Sequence, residues 1–224
     1  MSAVLYLHGF ASSPRGRKVE ALEAIFAPEG VVIEAPDLNA PSFERLDFDA
    51  MVDRARQSAR DRPPDAVAGS SLGAMVALAL SPELPGVPLV LIAPALGFGR
   101  RWIERIPPGD PVPFFHHGAG REIPIHREFF TAMAGRSLEA EPPAAPVTIV
   151  MGDRDESVPI EAVRAVWERW KDSGALDPRS RFLELAGGDH GLTAFAGDLA
   201  AEIRRALGGT RDRPPPPDGS APTR

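Results

Sequence analysis

The chain has 224 residues, of which 43% are hydrophobic and 25% charged, as is typical of one globular domain of ordinary size. Its 31 acidic and 25 basic residues give a formal net charge of −6, so the field of the whole chain should repel nucleic acid and anionic membranes. The chain has no cysteine, which excludes disulfides, thiol nucleophiles and thiolate metal sites.

The sequence predicts no signal peptide. The apolar run at residues 3–7 is short, with no basic residue before it and no small-residue cleavage site after it. No stretch of about 18 apolar residues predicts a transmembrane helix. We therefore expect a cytoplasmic protein that binds neither membranes nor nucleic acid.

The first half of the chain alternates between short apolar runs and amphipathic segments. Residues 4–7 predict a strand, and Ser13 and Pro14 can cap and begin a helix that Pro28 ends. Further elements are predicted as a strand at 31–33, a helix that Ser42 can cap and whose apolar stripe covers 48–59, a strand at 66–70, a helix at 72–80 and a strand at 87–92.

The second half begins with a long irregular segment. Residues 95–143 contain proline and glycine clusters and no sustained period, which is typical of a lid or cap inserted over a site. Regular elements resume as a strand at 147–151, a helix at 160–171, a strand at 181–185 and a helix at 195–207. Residues 208–224 are proline-rich and predict a disordered tail.

Six strands thus alternate with helices over residues 1–207. The strands are continuous apolar runs, which indicates a parallel sheet covered by helices on both faces. Right-handed crossovers then set the winding. The sequence predicts one α/β domain with a mostly parallel sheet of about six strands.

The clearest chemical signal is Gly69-Ser70-Ser71-Leu72-Gly73, which fits the pattern G-x-S-x-G between a predicted strand and a predicted helix. A turn this tight holds its serine in strained backbone angles and leaves little room for neighbouring side chains, which explains the two glycines. Ser71 is therefore the candidate nucleophile.

A nucleophilic serine needs a base, normally a histidine held by a carboxylate. His190 lies in a glycine-rich turn after the last predicted strand. Three acids follow the strand at 147–151, and we favour Asp155, whose segment resembles the G-x-x-D-x-x-V-P turn common in such hydrolases. Asp153 is the main competitor, and Glu156 is the weakest candidate. The order Ser71, Asp155, His190 is that of an α/β-hydrolase fold.

Acyl transfer also needs donors for the oxyanion. Leu72 N–H follows the nucleophile at the start of a helix. The segment Leu7-His8-Gly9-Phe10 resembles the His-Gly-x motif, whose third residue supplies a second N–H, so Phe10 is the other candidate and Ala11 its alternative. We expect His8 to orient this loop.

The irregular segment also contains several aromatic residues and three histidines. Phe114, Phe115 and Trp102 are candidates for lining an acyl pocket, although packing within the lid would give the same pattern. Zinc binding by His116, His117 and His126 is not expected, because no carboxylate stands at a standard ligand spacing. We predict no metal.

These motifs resemble the YqiA-like family of small bacterial esterases. The resemblance is carried by LYLHGFASSP at residues 5–14, GSSLG at 69–73 and GGDHGLTAF at 187–195. Segment 95–143 carries no matching motif, and Ala11 stands where the family often has a polar residue. The resemblance implies hydrolysis of small carboxylic esters without a cofactor.

The leading prediction is a serine esterase whose partner is a small ester. Two alternatives remain open. One is an acyl thioesterase acting on coenzyme A or an acyl-carrier protein, because residues 97–136 contain six arginines against four acids. The other is a hydrolase fold that binds a ligand without catalysis. The sequence gives no indication of the oligomeric state.

Overall fold

The computed structural model describes residues 1–96, 103–104 and 106–209. The predicted pocket residue Trp102 and most of the predicted tail, residues 210–224, lie outside this described part. The strands and α-helices are β1 (Ala3–Leu7), α1 (Arg17–Phe26), β2 (Val32–Glu34), α2 (Phe48–Asp61), β3 (Ala66–Ser70), α3 (Leu72–Leu80), β4 (Leu89–Ile92), β5 (Val112–His116), β6 (Arg121–Ile125), α4 (Glu128–Ala134), β7 (Val147–Gly152), α5 (Ile160–Asp172), β8 (Arg181–Leu185) and α6 (Ala196–Gly208).

Six strands form one sheet in the order β2-β1-β3-β4-β7-β8. Every neighbouring pair in this sheet is parallel, which confirms the predicted α/β architecture. Because the strands are parallel, the loops that follow β1, β3, β7 and β8 all leave the sheet at its carboxyl edge. Ligands of open α/β sheets bind at this edge.

Helices cover both faces of the sheet. All residues of β1, β3, β4 and β7 are buried, as expected for strands packed on two sides. Helix α1 packs against α6, and α2 packs against α3. Within the described residues, no helix combines the length and the apolar character needed to cross a membrane.

Two helices begin later than the sequence predicted. Helix α1 begins at Arg17 with Gly16 as its N-cap and no side-chain cap, because residues 13–16 form a turn in which Gly16 N–H donates to the Ser13 carbonyl. Helix α2 begins after Asp47, whose carboxylate accepts the Ala50 N–H at 2.7 Å. Ser13 and Ser42 were therefore wrong as caps, since other residues supply the helix starts.

The irregular segment contains structure that the sequence did not predict. Strands β5 and β6 form an antiparallel hairpin, and α4 follows it. Proline normally argues against a strand because it has no backbone N–H to donate. Pro113 and Pro124 face each other across the hairpin, so both missing N–H groups fall at the same pair of facing positions. The hairpin turn contacts the loop after β1, where His117 N–H donates to the Ala11 carbonyl at 2.8 Å.

Candidate active site

Ser71 occupies a strained turn between β3 and α3. Its backbone angles are φ 54° and ψ −115°, a region that residues with a side chain rarely adopt. A Cβ on Gly69 would lie 2.5 Å from the Gly73 carbonyl oxygen, and one on Gly73 would overlap the carbonyl oxygens of Leu7 and His8. Both glycines are therefore required by the close backbone contacts on which the turn depends.

His190 joins Ser71 to Asp155. Its Nε2 lies 3.0 Å from Ser71 Oγ, and its Nδ1 lies 2.8 Å from Asp155 Oδ2. The histidine side chain is 30% exposed, whereas the Asp155 side chain is fully buried. The three side chains thus form one chain of hydrogen bonds that runs from the solvent-accessible serine to a buried carboxylate.

The environment of Asp155 favours its ionised form. Burial raises the pKa of this carboxyl, but hydrogen bonds from His190 and from the Val158 N–H lower it, and the net pKa lies below the usual value. Asp155 Oδ1 accepts the N–H groups of Ser157 and Val158 at 2.9 and 2.8 Å. One oxygen is thereby fixed by the backbone, and the other faces the imidazole.

Asp153, the competing acid, makes a different contact. Its Oδ1 accepts the Gly187 N–H at 2.6 Å. Arg154 N–H donates to the Gly188 carbonyl at 2.9 Å, and a Cβ on Gly152 would overlap the same carbonyl. Asp153 therefore ties the turn after β7 to the turn that carries His190, while Glu156 is exposed.

The loop after β1 lies directly against the serine turn. His8 is buried; its Nδ1 lies 2.9 Å from the Gly9 carbonyl oxygen, and its Nε2 accepts the Leu38 N–H at 3.0 Å. A Cβ on Gly9 would lie 3.2 Å from the Ser71 Cβ. Phe10 follows Gly9, and Leu72 follows Ser71 itself. Both predicted oxyanion residues are therefore chain neighbours of residues at this contact.

Leu72 is the first residue of α3, so its N–H has no acceptor within the helix. Ala11, the alternative to Phe10, has a positive φ of 56°. The oxyanion role of Phe10 and Leu72 stays a prediction.

A cavity of about 690 Å³ opens in front of Ser71 and His190. Phe10 and the hairpin residues His117 and Gly118 also line it, but Phe114 and Phe115 do not. Phe114 packs instead on the rings of Phe10 and Phe130. Phe115 is 52% exposed, because alternation along β5 turns it away from the side on which Phe114 packs.

The three histidines of the irregular segment make different contacts. His116 is buried and accepts the Ala119 N–H, whereas His117 contacts the Phe115 ring and His126 lies near Asp110. In the described parts of the chain, no group of three or more histidine, aspartate or glutamate side chains is arranged to hold a metal ion.

Lys18 was not singled out from the sequence, yet it lines the cavity. Its Nζ donates to Ser70 Oγ at 2.6 Å. The one available signal was composition, because Lys18 and Lys171 are the only lysines among 25 basic residues. That signal does not indicate where the side chain lies.

Comparison with known protein families places nearly the whole chain in one family. The model of the uncharacterised protein family UPF0227 matches residues 3–201. No curated protein matches the chain.

Similar solved structures belong to α/β hydrolases. A putative hydrolase from Agrobacterium vitis S4 is 20% identical, with 92% of this chain and 88% of that chain covered and a TM-score of 0.72. Mouse alpha/beta hydrolase domain-containing protein 10 is 19% identical, with coverage of 92% and 89% and a TM-score of 0.70. Est1E from Butyrivibrio proteoclasticus with bound ferulic acid is 18% identical, with coverage of 93% and 90% and a TM-score of 0.69. At these identities the likeness confirms the fold.

Gly73→Ala should lower the free energy of unfolding by about 3 kcal/mol, because the new methyl group collides with backbone that cannot rotate away. Gly197→Ala is the matched control, since a Cβ at that position in α6 meets nothing within 4 Å. Urea denaturation of both variants measures the difference. Equal stability of the two variants would show that the contact of Gly73 with β1 is not required.

Asp155→Asn should flatten the acid limb of the stability curve. The folded-state pKa of Asp155 lies below its unfolded value of 3.8, so its contribution is present above that pH and is lost as the pH falls through the folded pKa. The free energy of unfolding should therefore fall more steeply below about pH 4 in the wild type than in the variant. Asp172→Asn, at an exposed carboxyl, is the control and should leave the slope unchanged.

Proposed function

Because the chain belongs to the uncharacterised protein family UPF0227 and has the fold of α/β hydrolases, we propose that it is a serine esterase that hydrolyses small carboxylic esters through an acyl-enzyme. The observation that carries this proposal is the continuous hydrogen-bonded chain from Ser71 through His190 to Asp155. Such a chain supplies a nucleophile, a base and the group that orients the base.

In the first half-reaction, Ser71 Oγ attacks the ester carbonyl carbon while His190 Nε2 takes the hydroxyl proton. The N–H groups of Phe10 and Leu72 donate to the oxyanion, and each such donor contributes about 3 kcal/mol in the transition state. The imidazolium then gives its proton to the leaving alcohol, and the carbonyl re-forms as a Ser71 acyl ester.

In the second half-reaction, His190 removes a proton from water, whose oxygen attacks the acyl ester. Collapse of this intermediate releases the carboxylic acid and returns the proton to Ser71. Asp155 holds the imidazole with Nδ1 protonated and stabilises the imidazolium in both halves. The scheme needs no cofactor, and we place it in the cytoplasm.

The hairpin supports the predicted lid role of segment 95–143, because His117 and Gly118 line the cavity. Thioester hydrolysis and ligand binding without catalysis stay predictions from the sequence. Three of the six arginines that suggested an anionic carrier, Arg100, Arg101 and Arg105, lie outside the described residues.

A fluorophosphonate probe should label Ser71 covalently, and Ser71→Ala should abolish labelling and lower kcat by at least about 10⁴-fold. Ser173→Ala, at the end of α5, is the control and should label and turn over like the wild type. Mass spectrometry of the labelled peptide and hydrolysis of 4-nitrophenyl acetate give the two readouts. Wild-type rates in the Ser71 variant would overturn the proposal.

The two candidate acids can be separated by substitution. Asp155→Asn should lower kcat by about 10⁴-fold, because the amide holds the wrong imidazole tautomer. Asp153→Ala should lower the free energy of unfolding by about 1 kcal/mol through loss of the Gly187 contact, with kcat changed less than about tenfold. Steady-state kinetics with urea denaturation measures both quantities. The reverse pattern would assign the triad acid to Asp153.

A further inference from the structure

The cavity in front of Ser71 is positively charged on one side. Arg15, Arg17 and Lys18 line it where the loop after β1 leads into α1, and no carboxylate appears among its lining residues. Neither arginine forms a salt bridge with any other residue in the described ranges. Three cations therefore share one cavity in a chain whose net charge is −6.

Lys18 is the most enclosed of the three cations. An ammonium group has three donors, but among the described residues Lys18 has one hydrogen-bond partner, Ser70 Oγ, and no carboxylate at ion-pair distance. Burial lowers the pKa of Lys18 to about 8, although Asp189 and Asp155 act to raise it. The group is thus still mostly protonated at neutral pH, and its charge lies next to the residue that precedes the nucleophile.

The two acids near Lys18 form hydrogen bonds with other groups. Asp155 accepts hydrogen bonds from His190 and from the turn that follows it. Asp189 Oδ1 accepts the Leu192 N–H at 2.8 Å. Both acids attract the ammonium only from a distance, so its charge is not neutralised by a direct contact in the described structure.

Tyr6 provides a second, independent observation. It lines the same cavity and is 1% exposed. Its hydroxyl lies beside Ser70 but has no hydrogen-bond partner of good geometry within the part of the chain that the structure describes. Burial raises the pKa of Tyr6, so the phenol stays protonated and can donate. A buried donor whose partner is poorly aligned loses part of its hydrogen-bond energy, which a ligand acceptor would recover.

The start of α1 adds further donors. The first N–H groups of this helix have no acceptors within it, and the helix dipole favours an anion there. The N-cap Gly16 supplies no side chain, and a Cβ on it would lie 2.9 Å from Ser12 Oγ. Ser12 and Ser13 line the cavity beside this helix end.

A purely structural role for Lys18 is disfavoured by its energetics. Lys18 is half-buried, and a charge held there without a paired opposite charge loses hydration that an apolar side chain of similar volume would not need. A ligand anion in the cavity would supply the missing partner.

We propose that Lys18, with Arg15, Arg17 and the Tyr6 hydroxyl, forms an anion-binding subsite, so that the esters hydrolysed best carry a carboxylate a few bonds from the scissile carbonyl. This inference rests on the proposed role of Ser71. The carboxylate can belong to the acyl group or to the leaving alcohol, and the same subsite chemistry recognises both.

Two matched pairs of esters separate these sources. Monomethyl succinate and methyl succinamate differ only in a carboxylate or amide on the acyl side. Acetoxyacetate and acetoxyacetamide differ in the same way on the alcohol side. We expect kcat/KM to be at least about tenfold higher for the charged member of one pair, which corresponds to about 1.4 kcal/mol.

Lys18→Met keeps an unbranched side chain that is one atom shorter, and it removes the charge. It should lower the ratio of kcat/KM for the preferred charged ester to kcat/KM for its neutral amide partner at least tenfold. Lys171→Met is the matched control, because Lys171 is exposed and pairs with Glu168, and it should keep the preference. Equal losses on both members of a pair would overturn the anion subsite.

A binding measurement separates this inference from the proposed function. Calorimetric titration with succinate should show binding to the wild type and to Lys171→Met, at least tenfold weaker binding to Lys18→Met, and no comparable binding of succinamide. If the probe labels Ser71 and neutral esters are hydrolysed but succinate binding is independent of Lys18, the subsite is wrong and the esterase proposal stands. If succinate binding depends on Lys18 but the probe does not label Ser71 and no ester is hydrolysed, the anion subsite stands and the esterase proposal is overturned.

A second variant tests the subsite in case Lys18→Met does not fold. Arg15→Gln combined with Arg17→Gln changes only exposed side chains, and circular dichroism checks that this variant is folded. It should weaken succinate binding and reduce the preference for the charged ester. An unchanged preference in this folded variant would overturn the three-cation subsite.

Discussion

Close backbone contact at the carboxyl edge of the sheet is the constraint on which the site depends. The helix that follows Ser71 approaches the end of β1 so closely that only glycine fits at position 73. A similar contact, between Gly152 and Gly188, joins the turn after β7 to the turn after β8. The first contact fixes the serine beside the loop after β1, and the second brings the Asp155 turn to the His190 turn. Because strands β3, β7 and β8 are parallel members of one sheet, these contacts converge on the same edge.

Most of the fold could be predicted from the sequence because its signals are local. A buried parallel strand needs a continuous apolar run, and a strand-to-helix turn as tight as that at Ser71 needs glycine on both sides. Both requirements are met by neighbours in the sequence. The starts of α1 and α2 were wrong because several residues near each start can cap a helix, and the choice depends on the turn that precedes it. The hairpin was missed because Pro113 and Pro124 are tolerated only through their facing positions, which the sequence does not display.

Several contacts in the site could not be predicted from the local sequence. Asp153 and Asp155 lie two residues apart, but their carboxylates serve different loops: one holds the Gly187 amide and the other contacts His190. This difference arises from the packing of the two turns, so the sequence left both acids open. Lys18 is a still clearer case, because it reaches Ser70 across a separation of 52 residues. No periodic pattern or motif spacing reports such a contact.

The charge distribution of the chain limits the distance over which the proposed subsite can attract a substrate. A chain with a net charge of −6 repels an anionic substrate at long range, and at physiological ionic strength this field is screened beyond about 8 Å. The arginines at positions 15 and 17 and Lys18 act at contact distance, and Lys18, the least exposed of the three, is screened least by solvent. Discrimination between charged and neutral esters should therefore arise after the substrate has entered the cavity. Because Lys18 contacts Ser70, the residue that precedes the nucleophile, a substrate carboxylate bound by the ammonium lies close to the ester carbonyl that Ser71 attacks.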